Sequence, residues 1–456
     1  MDLKNDIERA VRHIAANNYK NPKTDEELQT IIENTIVAFE TQIYDFSGYS
    51  SMFLKQGNKT RKVKYYENIY SAENILCQCV KQILDRAFNI KYPNRNKTIR
   101  SLFAYVAAMN QMSHFTIVKF DFKDYYNTVS APYVFEKCIK SQLSRRKDLD
   151  LIKEFCYSTK YAYAGLCTSN AISEIIAKTF DDAIRERFAS QGLLFYERYI
   201  DDCVLLLNEC VSLDDIKRII NELLNNIFHV EIESDLLRCK TKFNDDKFRY
   251  LSNQSISPTT YSIDYLGYEF LLSRTPQNKI NVQYGITESK RTKYCKRVDR
   301  IISLYTNPSS PDYNNLELLR HRIMAFASRE VYISKHFKSN VWKAKGFISN
   351  YGELRFLLDS PLLESDTKAF LQNMIKDRFN SNGVPLPYFF KTNGYNLFEN
   401  LKRNKTLLLV ETIGYDYESL SKLCQNVGIN PIGIDGKRRG YGTLVRDYLI
   451  KVKVGY

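Results

Sequence analysis

Residues 195–208, FYERYIDDCVLLLN, constrain the fold of this chain more than any other stretch. Residues 195–200 and 203–207 are rich in β-forming side chains, so the segment predicts a hairpin with Asp201 and Asp202 at its turn. Such a turn holds two carboxylates at one exposed tip, close enough to share divalent cations. Two adjacent aspartates in a turn are also common as a solvated pair, so this motif does not decide between the two interpretations.

A third acidic residue strengthens the metal interpretation. Residues 116–120 have the composition of a buried strand, and Asp121 follows at its carboxyl end. Beside the hairpin, Asp121 would complete a cage of three carboxylates for two Mg²⁺ ions, which prefer hard oxygen ligands; Mn²⁺ is a possible substitute. Such a cage would lower the pKa of an attacking 3′-hydroxyl and neutralise a leaving pyrophosphate.

The charge of the chain favours a polyanionic partner. It has 456 residues, a net charge of +14 and a pI of about 9.1, and its basic residues are spread along the whole length. Nucleic acid is favoured over membrane because no amphipathic basic segment stands out. The 33 tyrosines suit stacking on unpaired bases, although most tyrosines pack in cores or on surfaces.

The cysteines and histidines argue against a structural zinc site. The ten cysteines show no paired CxxC spacing, and the five histidines form no ligand-like cluster. There is no signal peptide and no apolar run of about 18 residues, so we expect a chain without membrane spans in the reducing cytoplasm.

Four further stretches carry weaker signals. A hairpin with a cationic tip is predicted around Gly57–Asn58, where it would grip a triphosphate or a template, or simply be solvated. Small residues from Gly165 to Ser173 lead into a helix, as at an anion site or at any ordinary helix start. Residues 279–300 carry seven basic and two acidic side chains, which suits a helix tracking a duplex. The basic, glycine-rich loop 437–442 would hold single-stranded RNA, with Tyr441 as a stacking platform, or be solvated.

Together, these motifs resemble the palm of a reverse transcriptase. The order is an aspartate ending a strand, Gly and Ser leading into a helix, and Tyr-x-Asp-Asp in a hairpin, with 80 residues from Asp121 to Asp201. The resemblance covers about residues 55–300. It implies that Asp121, Asp201 and Asp202 are the metal ligands, joined by the backbone carbonyl of Phe122.

The resemblance also assigns roles to residues around the carboxylates. Tyr126 matches the aromatic gate that excludes a ribose 2′-hydroxyl, so deoxynucleotides are the expected substrates. The other positions are Lys59 and Arg61 in a fingers hairpin on the triphosphate, Lys240 near the pyrophosphate, Gly267 and Tyr268 in the primer grip, and Lys290, Lys293 and Arg297 in the thumb.

One departure from the family's sequence motifs limits the group of reverse transcriptases that this chain resembles. Cys167-Thr168-Ser169 stands where group II intron and retroviral enzymes carry Pro-Gln-Gly, so Thr168 presents a hydroxyl where the family presents an amide to the incoming nucleotide. With Ser173-Glu-Ile-Ile-Ala following, the segment resembles the bacterial abortive-infection and defence-associated reverse transcriptases. No endonuclease, maturase or ribonuclease H signature is visible.

The expected architecture is an α+β right-hand polymerase with fingers, a ferredoxin-like palm and a helical thumb, followed by a mostly helical C-terminal domain. The expected ranges are N-terminal helices at 1–45, fingers and palm at 46–270, the start of the thumb at 271–310 and the helical region at 311–456. Within this last region, helices are predicted at 316–332, 341–357 and 365–379, and residues 406–410 fit either a strand or a buried helix.

The function implied is Mg²⁺-dependent RNA-directed DNA polymerisation from dNTPs in antiphage defence. Family resemblance implies an RNA template or non-coding RNA partner, a DNA product and priming from nucleic acid or a protein tyrosine; an oligomer or a second protein subunit is compatible with it. One alternative is a retron or intron-type enzyme with conventional templating. Another is a non-enzymatic polymerase-like scaffold that binds RNA or a partner protein, against which the three intact aspartates argue.

Overall fold

The computed structural model describes residues 3–17, 23–56, 59–230, 238–256, 260–336, 339–392, 395–433 and 436–453. The chain divides into two compact units, Met1–Ile256 and Ser257–Tyr456, which we call the N-terminal unit and the C-terminal unit. Each contains helices and sheet, so the fold is of the mixed α+β class, as predicted. The finer domain boundaries given above remain predictions.

The N-terminal unit contains the carboxylate motifs. Its helices are α1 (Leu3–Asn17), α2 (Asp25–Glu40), α3 (Ala72–Ala87), α4 (Arg95–Ala108), α5 (Tyr125–Thr128), α6 (Ala131–Val134), α7 (Arg146–Thr159), α8 (Ser169–Ala189) and α9 (Leu213–Phe228). Its strands are β1 (Ser50–Gln56), β2 (Lys59–Tyr65), β3 (Thr116–Asp121), β4 (Leu193–Tyr199), β5 (Asp202–Leu207) and β6 (Arg249–Ser252).

Strands β3 to β6 form one antiparallel sheet in the order β4-β5-β3-β6. Helices separate β3 from β4 and β5 from β6, while β4 and β5 are joined directly, so the order along the chain is βαββαβ. This is the ferredoxin-like arrangement. It places β3 and β5 at the centre of the sheet, with Asp121 directly opposite Asp202.

Aromatic rings fix the end of β3 against the helices behind the sheet. All six residues of β3 are buried, as expected for a central strand covered on both faces. The ring of Phe122, just beyond the strand, lies 5.4 Å from that of Phe180 on α8 and 6.1 Å from that of Phe228 on α9. Asp121 is therefore the last residue of a strand that is anchored on both sides.

The β1–β2 hairpin packs against the segment that precedes α8. The backbone N–H of Lys64 donates to the carbonyl of Ala164 across 2.7 Å. The next residue, Gly165, has φ +104, and a Cβ there would lie 2.3 Å from the carbonyl oxygen of Lys64. Only glycine fits this backbone conformation and this close approach. The predicted hairpin is present, but its Gly57–Asn58 tip lies outside the described residues.

The C-terminal unit contains two small sheets. Its helices are α10 (Glu288–Thr306), α11 (Leu316–Phe326), α12 (Phe347–Asn350), α13 (Ser365–Ser381), α14 (Tyr388–Thr392), α15 (Leu397–Lys402), α16 (Tyr417–Asn426) and α17 (Tyr441–Val452). Its strands are β7 (Tyr261–Tyr265), β8 (Tyr268–Arg274), β9 (Ile280–Ile286), β10 (Arg329–His336), β11 (Ser339–Lys345) and β12 (Thr406–Leu409).

The second of these sheets adds three short strands to a C-terminal region that is otherwise mostly helical, as predicted. Helix α11 ends at Phe326, and residues predicted to be helical form the β10–β11 hairpin instead. Strand β12 pairs with β10 in parallel and settles the ambiguity at 406–410 in favour of a strand. The apolar residues of β12 supply a distant partner, which outweighs local helical preference. Among the described residues, no helix combines the length and the apolar character that crossing a bilayer requires.

Candidate active site

The two hairpin aspartates occupy different backbone positions. Tyr199 pairs with Asp202, so the turn consists of Ile200 and Asp201, and Asp202 is already the first residue of β5. Ile200 has φ +64, a left-handed value that a β-branched side chain rarely adopts. Strain of this kind costs about 1–3 kcal/mol and persists only where the surroundings enforce it.

A buried arginine enforces the turn. Arg198 donates from Nη1 to the carbonyl of Ile200 across 2.8 Å. Its guanidinium also donates to both carboxylate oxygens of Glu174 and of Asp181, at 2.8 to 3.2 Å, and both carboxylates lie on α8. Burial opposes the charge, but the hydrogen bonds that Arg198 donates to the two carboxylates raise its pKa well above the usual value. The turn is therefore tied to α8 by a charged network.

The backbone and a lysine place Asp121 beside this turn. Asp121 is fully buried, and the N–H of the next residue, Phe122, donates to the carbonyl of Asp201 across 3.2 Å. One carboxylate oxygen, Oδ2, forms an ion pair with Nζ of Lys247. The other, Oδ1, is buried and has no hydrogen-bond partner within the described part of the chain.

The pKa values of these residues reflect burial and the closeness of several negative charges. Burial raises the pKa of Asp201, and the nearby charge of Asp121 raises it further. Burial, with Asp201 as the next contribution, raises the pKa of Asp202 to about 6. Burial disfavours the Lys247 ammonium, yet the ion pair with Asp121 outweighs it and raises the pKa of Lys247. The site therefore favours added positive charge.

These residues fit a divalent cation, although the predicted cage is not preassembled. In the described ranges, no three Asp, Glu, His or Cys side chains stand together in metal-ligand geometry. The partnerless Oδ1 of Asp121 nevertheless lies where β3 meets β5, and the adjacent carboxylates supply the hard oxygen donors that Mg²⁺ prefers. Asp121, Asp201 and Asp202 would hold the ion.

A cavity of about 260 Å³ adjoins this region in the N-terminal unit. The β1–β2 hairpin forms one wall, and the segment before α8 forms the other. Its lining residues are Leu54, Arg61, Val63, Tyr126, Ala164, Gly165, Leu166, Cys167, Ser169 and Asn170. A charged guanidinium, an aromatic ring and the side-chain amide of Asn170 line one opening, as in binding sites for small polar ligands.

Tyr126 connects the cavity to the carboxylates. The Arg61 guanidinium carbon lies 5.4 Å from the centre of the Tyr126 ring, within the range of a cation–π contact. The Tyr126 hydroxyl donates to the side-chain oxygen of Asn170, the first-turn residue of α8. Burial, with the charge of Asp201 next, raises the pKa of Tyr126 to about 12. The ring is thus fixed between the cavity wall and the aspartates.

Two other predicted nucleotide or catalytic residues, Thr168 and Lys240, do not line the cavity. Thr168 is buried, with its hydroxyl 3.7 Å from Sγ of Cys77, and it does not line the cavity. Its hydroxyl therefore packs inward, which corrects its assignment to the nucleotide. The ammonium of Lys240 lies 5.9 Å from the ring centre of Tyr161, whereas Lys247 contacts Asp121. Lys59 pairs with Gln56 through the backbone, and its side chain lies outside the described residues.

Tyr268, predicted to lie in the primer grip, has a structural role instead. Gly267, with φ +82, turns the chain between β7 and β8. Tyr268 is fully buried, and its hydroxyl donates to the carbonyl of Asn350 across 3.0 Å. The side chain of Tyr268 is therefore part of the core of the C-terminal unit, which corrects its assignment to nucleic acid.

The predicted thumb cations do cluster. Lys290, Lys293 and Arg297 are spaced three and four residues apart on α10, so they share one face of the helix. Burial, followed by the like charges of Arg297 and Lys290, lowers the pKa of Lys293. Mutual repulsion of this kind is relieved by a bound polyanion.

The basic loop before α17 is engaged within the protein. Tyr441 is half-buried against the core beneath α16 and α17, and its hydroxyl donates to the carbonyl of Tyr415 across 2.6 Å. Arg439 forms an ion pair with Asp447. These contacts give Tyr441 a packing role, and its stacking on RNA stays a prediction.

Sequence reasoning missed four residues: Lys247, Arg198, Asn170 and Cys77. Arg198 carried a signal, because a charged residue inside a strand next to a buried hairpin turn requires partners. The contacts of the other three depend on pairings between distant segments, and no local pattern marks them.

No protein-family model matches the sequence, and neither does any curated protein. Among solved structures, telomerase from Candida albicans with the TWJ fragment of telomeric RNA gives a TM-score of 0.39 and 13% identity over 87% of this chain. The corresponding complex from Candida tropicalis gives 0.38 and 11% over 94%. Apo telomerase from Candida tropicalis, truncated from its C-terminal domain, gives 0.33 and 11% over 53%. This chain spans 65% of the length of each of the two RNA-bound chains, and the scores are too low to assign it to a family.

Proposed function

We propose that this protein is a metal-dependent nucleotidyltransferase of the reverse transcriptase type, which adds dNTPs to a primer. The observation that carries the proposal is the pairing of Asp121 with Asp202, next to Asp201 in the turn, on the central strands of an antiparallel sheet. Three carboxylates on neighbouring positions of two paired strands would, once bound metal ions draw them together, suit an in-line phosphoryl transfer between two oxygens.

The residues around the carboxylates would bind and orient the substrates. Divalent ions bound there would lower the pKa of an attacking 3′-hydroxyl and neutralise the leaving pyrophosphate. The planar guanidinium of Arg61, on the cavity wall, would bind the triphosphate through paired hydrogen bonds. The charged network of Arg198 would keep the strained turn in position during each cycle.

The cavity also supports a preference for deoxynucleotides. The hydroxyl of Tyr126 donates to Asn170, and the Arg61 guanidinium lies over its ring. These two contacts restrict rotation of the Tyr126 side chain. A fixed ring at this position would collide with a ribose 2′-hydroxyl. The proposed substrates are therefore dNTPs, with Mg²⁺ or Mn²⁺ as the cofactor.

The role in antiphage defence and the RNA partner rest on the sequence resemblance alone. Cys167-Thr168-Ser169 departs from the Pro-Gln-Gly of intron and retroviral enzymes in the manner of defence-associated enzymes. We extend the proposal to that class, with an RNA template or non-coding RNA and priming by nucleic acid or a protein tyrosine. The cationic face of α10 gives such an RNA a plausible contact surface.

Labelled dNTPs test the proposal directly. Purified protein should incorporate label in the presence of Mg²⁺ or Mn²⁺, and sequencing the product would identify template and primer. Asp121→Asn and Asp201→Asn should abolish incorporation, whereas Asp214→Asn, an exposed acid in the first turn of α9, should not. Comparable synthesis by Asp201→Asn and wild type would exclude the assignment.

One observation favours a second candidate, a non-enzymatic RNA-binding scaffold. Lys247 already supplies a positive charge to Asp121 from within the chain, so the carboxylate site is partly neutralised without a metal. Such a scaffold would bind RNA, would incorporate no nucleotide and would show the same thermal stability with and without Mg²⁺.

A further inference from the structure

Two cysteines from distant parts of the chain meet at the cavity wall. Cys77 lies on α3 and is fully buried, while Cys167 lies just before α8 and lines the cavity. Their Sγ atoms are 3.4 Å apart. Each of the ten cysteines is a free thiol in this structure, and a disulfide would bring these two sulfurs to about 2.05 Å.

The surroundings favour one thiolate within this hydrogen-bonded pair. The Cys77 sulfur is within 3.4 Å of the Cys167 sulfur and 3.7 Å of the Thr168 hydroxyl. Burial opposes ionisation, but these hydrogen bonds outweigh it and lower the pKa of Cys77, while that of Cys167 is raised well above its usual value. Thiolates react with oxidants and thiols do not.

We propose that Cys77 and Cys167 form an oxidation-sensitive dithiol, which a hydroperoxide reaching it through the cavity converts to a disulfide. The sulfur of Cys167, which lines the cavity, attacks the O–O bond of the peroxide as its proton passes to the Cys77 thiolate, giving a sulfenic acid on Cys167 and hydroxide, which is protonated to water. The sulfur of the second thiol then attacks the sulfenic sulfur; an S–S bond forms and the hydroxyl group leaves as water with the thiol proton. Two thiols and one hydrogen peroxide yield one disulfide and two waters.

The disulfide would change the nucleotide pocket. Cys167 forms part of the cavity wall two residues from Gly165, whose backbone packs against Lys64. Drawing Cys167 towards α3 would move this wall, and displacements of about 1 Å at a reactive site reduce rates by as much as 100-fold. This consequence rests on the proposed function, whereas formation of the disulfide does not.

Peptide mapping after oxidation tests the pair. Full-length reduced protein is treated with hydrogen peroxide, its remaining thiols are alkylated, and it is digested with trypsin. We expect a cross-link between the peptides 65–81 and 161–178 that dithiothreitol removes. The first peptide also contains Cys79, so Cys79→Ser is the matched control and should retain the link, whereas Cys167→Ser should abolish it. Absence of the link while other cysteines become oxidised would overturn the proposal.

Binding of dNTPs, measured by calorimetry before and after oxidation, tests the effect on the pocket. Oxidation of the wild type should weaken binding at least tenfold, and reduction should restore it; Cys167→Ser should bind equally before and after peroxide. Unchanged dNTP affinity after complete cross-linking would overturn the claim that the disulfide changes the pocket. If the reduced protein binds no dNTP, the proposed function fails, while the cross-link still decides whether the dithiol exists.

Discussion

The ammonium group of Lys247 forms an ion pair with Oδ2 of Asp121, the buried carboxylate at the end of β3. The lysine side chain is 41% exposed and the aspartate 1% exposed, so the cation has access to solvent while the anion has none. The chain thus supplies its own counter-charge at the position where a divalent ion would bind.

Removing this lysine should make the protein more dependent on metal. Lys247→Met should cost about 1–2 kcal/mol of stability without metal, less than the 3–5 kcal/mol for breaking a fully buried pair, because water reaches Lys247. Excess Mg²⁺ should then raise the Tm of the variant more than that of the wild type. Thermal unfolding with and without Mg²⁺ checks this. Lys217→Met, which breaks the more exposed pair with Asp245, is the control; equal responses in both variants would contradict the prediction.

Removing Arg198 from the network that supports the turn should strongly destabilise the protein. Arg198→Met leaves Glu174 and Asp181 without their shared cation in a nearly dry environment, so unfolding should become easier by about 3–5 kcal/mol. Denaturant unfolding measures this cost. Arg185→Met removes an exposed ion pair on α8, the helix that carries Glu174 and Asp181. It should change stability by less than about 1 kcal/mol. Similar losses in the two variants would mean that the network does not enforce the turn.

The ring of Tyr126 should control the choice of sugar. Tyr126→Val should raise the use of rNTPs relative to dNTPs by roughly 10- to 200-fold, the range that small steric differences in a pocket produce. Asn170→Ala, which frees the hydroxyl but keeps the ring, should give a smaller increase. Steady-state kinetics with both nucleotide classes separates kcat from KM. A wild type that already uses both classes equally would rule out the gate.

Cations on α10 should bind phosphates. Replacing both Lys293 and Arg297 with alanine should weaken RNA binding and reduce the slope of log affinity against log salt by roughly two, about one per lost contact. Titrations at several salt concentrations measure the slope. Lys376→Ala, a single change on α13, serves as a comparison. An unchanged slope in the double variant would remove α10 from the interface.

Acid should weaken the C-terminal unit through His321. Burial is the main cause that lowers the pKa of this imidazole, which lies 2.8 Å from the hydroxyl of Tyr448. The unfolded chain therefore binds the proton more tightly, so stability is retained above pH about 6.5 and lost as the pH falls below it. The Tm of the wild type relative to His321→Gln should fall between pH 7.5 and pH 5. An unchanged difference in Tm between the two proteins across this range would contradict the prediction.

The local sequence pattern predicted those parts of the structure that are determined by residues adjacent in sequence. Alternation and turn composition indicated the hairpin around Asp201, and a run of apolar residues indicated the strand before Asp121. Lys247 could not be found in this way, because it reaches Asp121 only when β6 lies beside β3. The β10–β11 hairpin was also missed; besides their local pairing, β10 pairs with β12, a strand far along the chain that no local pattern reveals.

The pairing of β3 with β5 also has a kinetic consequence. The two strands are far apart in sequence, and the chain between them must close into a long loop before their hydrogen bonds form. Loop closure of this kind slows folding, because its entropy cost precedes the contacts that offset it. Asp121 and Asp202 are therefore separated in any species that has formed only local structure. During synthesis, an emerging chain acquires its carboxylate pair only after β5 has left the ribosome and found β3.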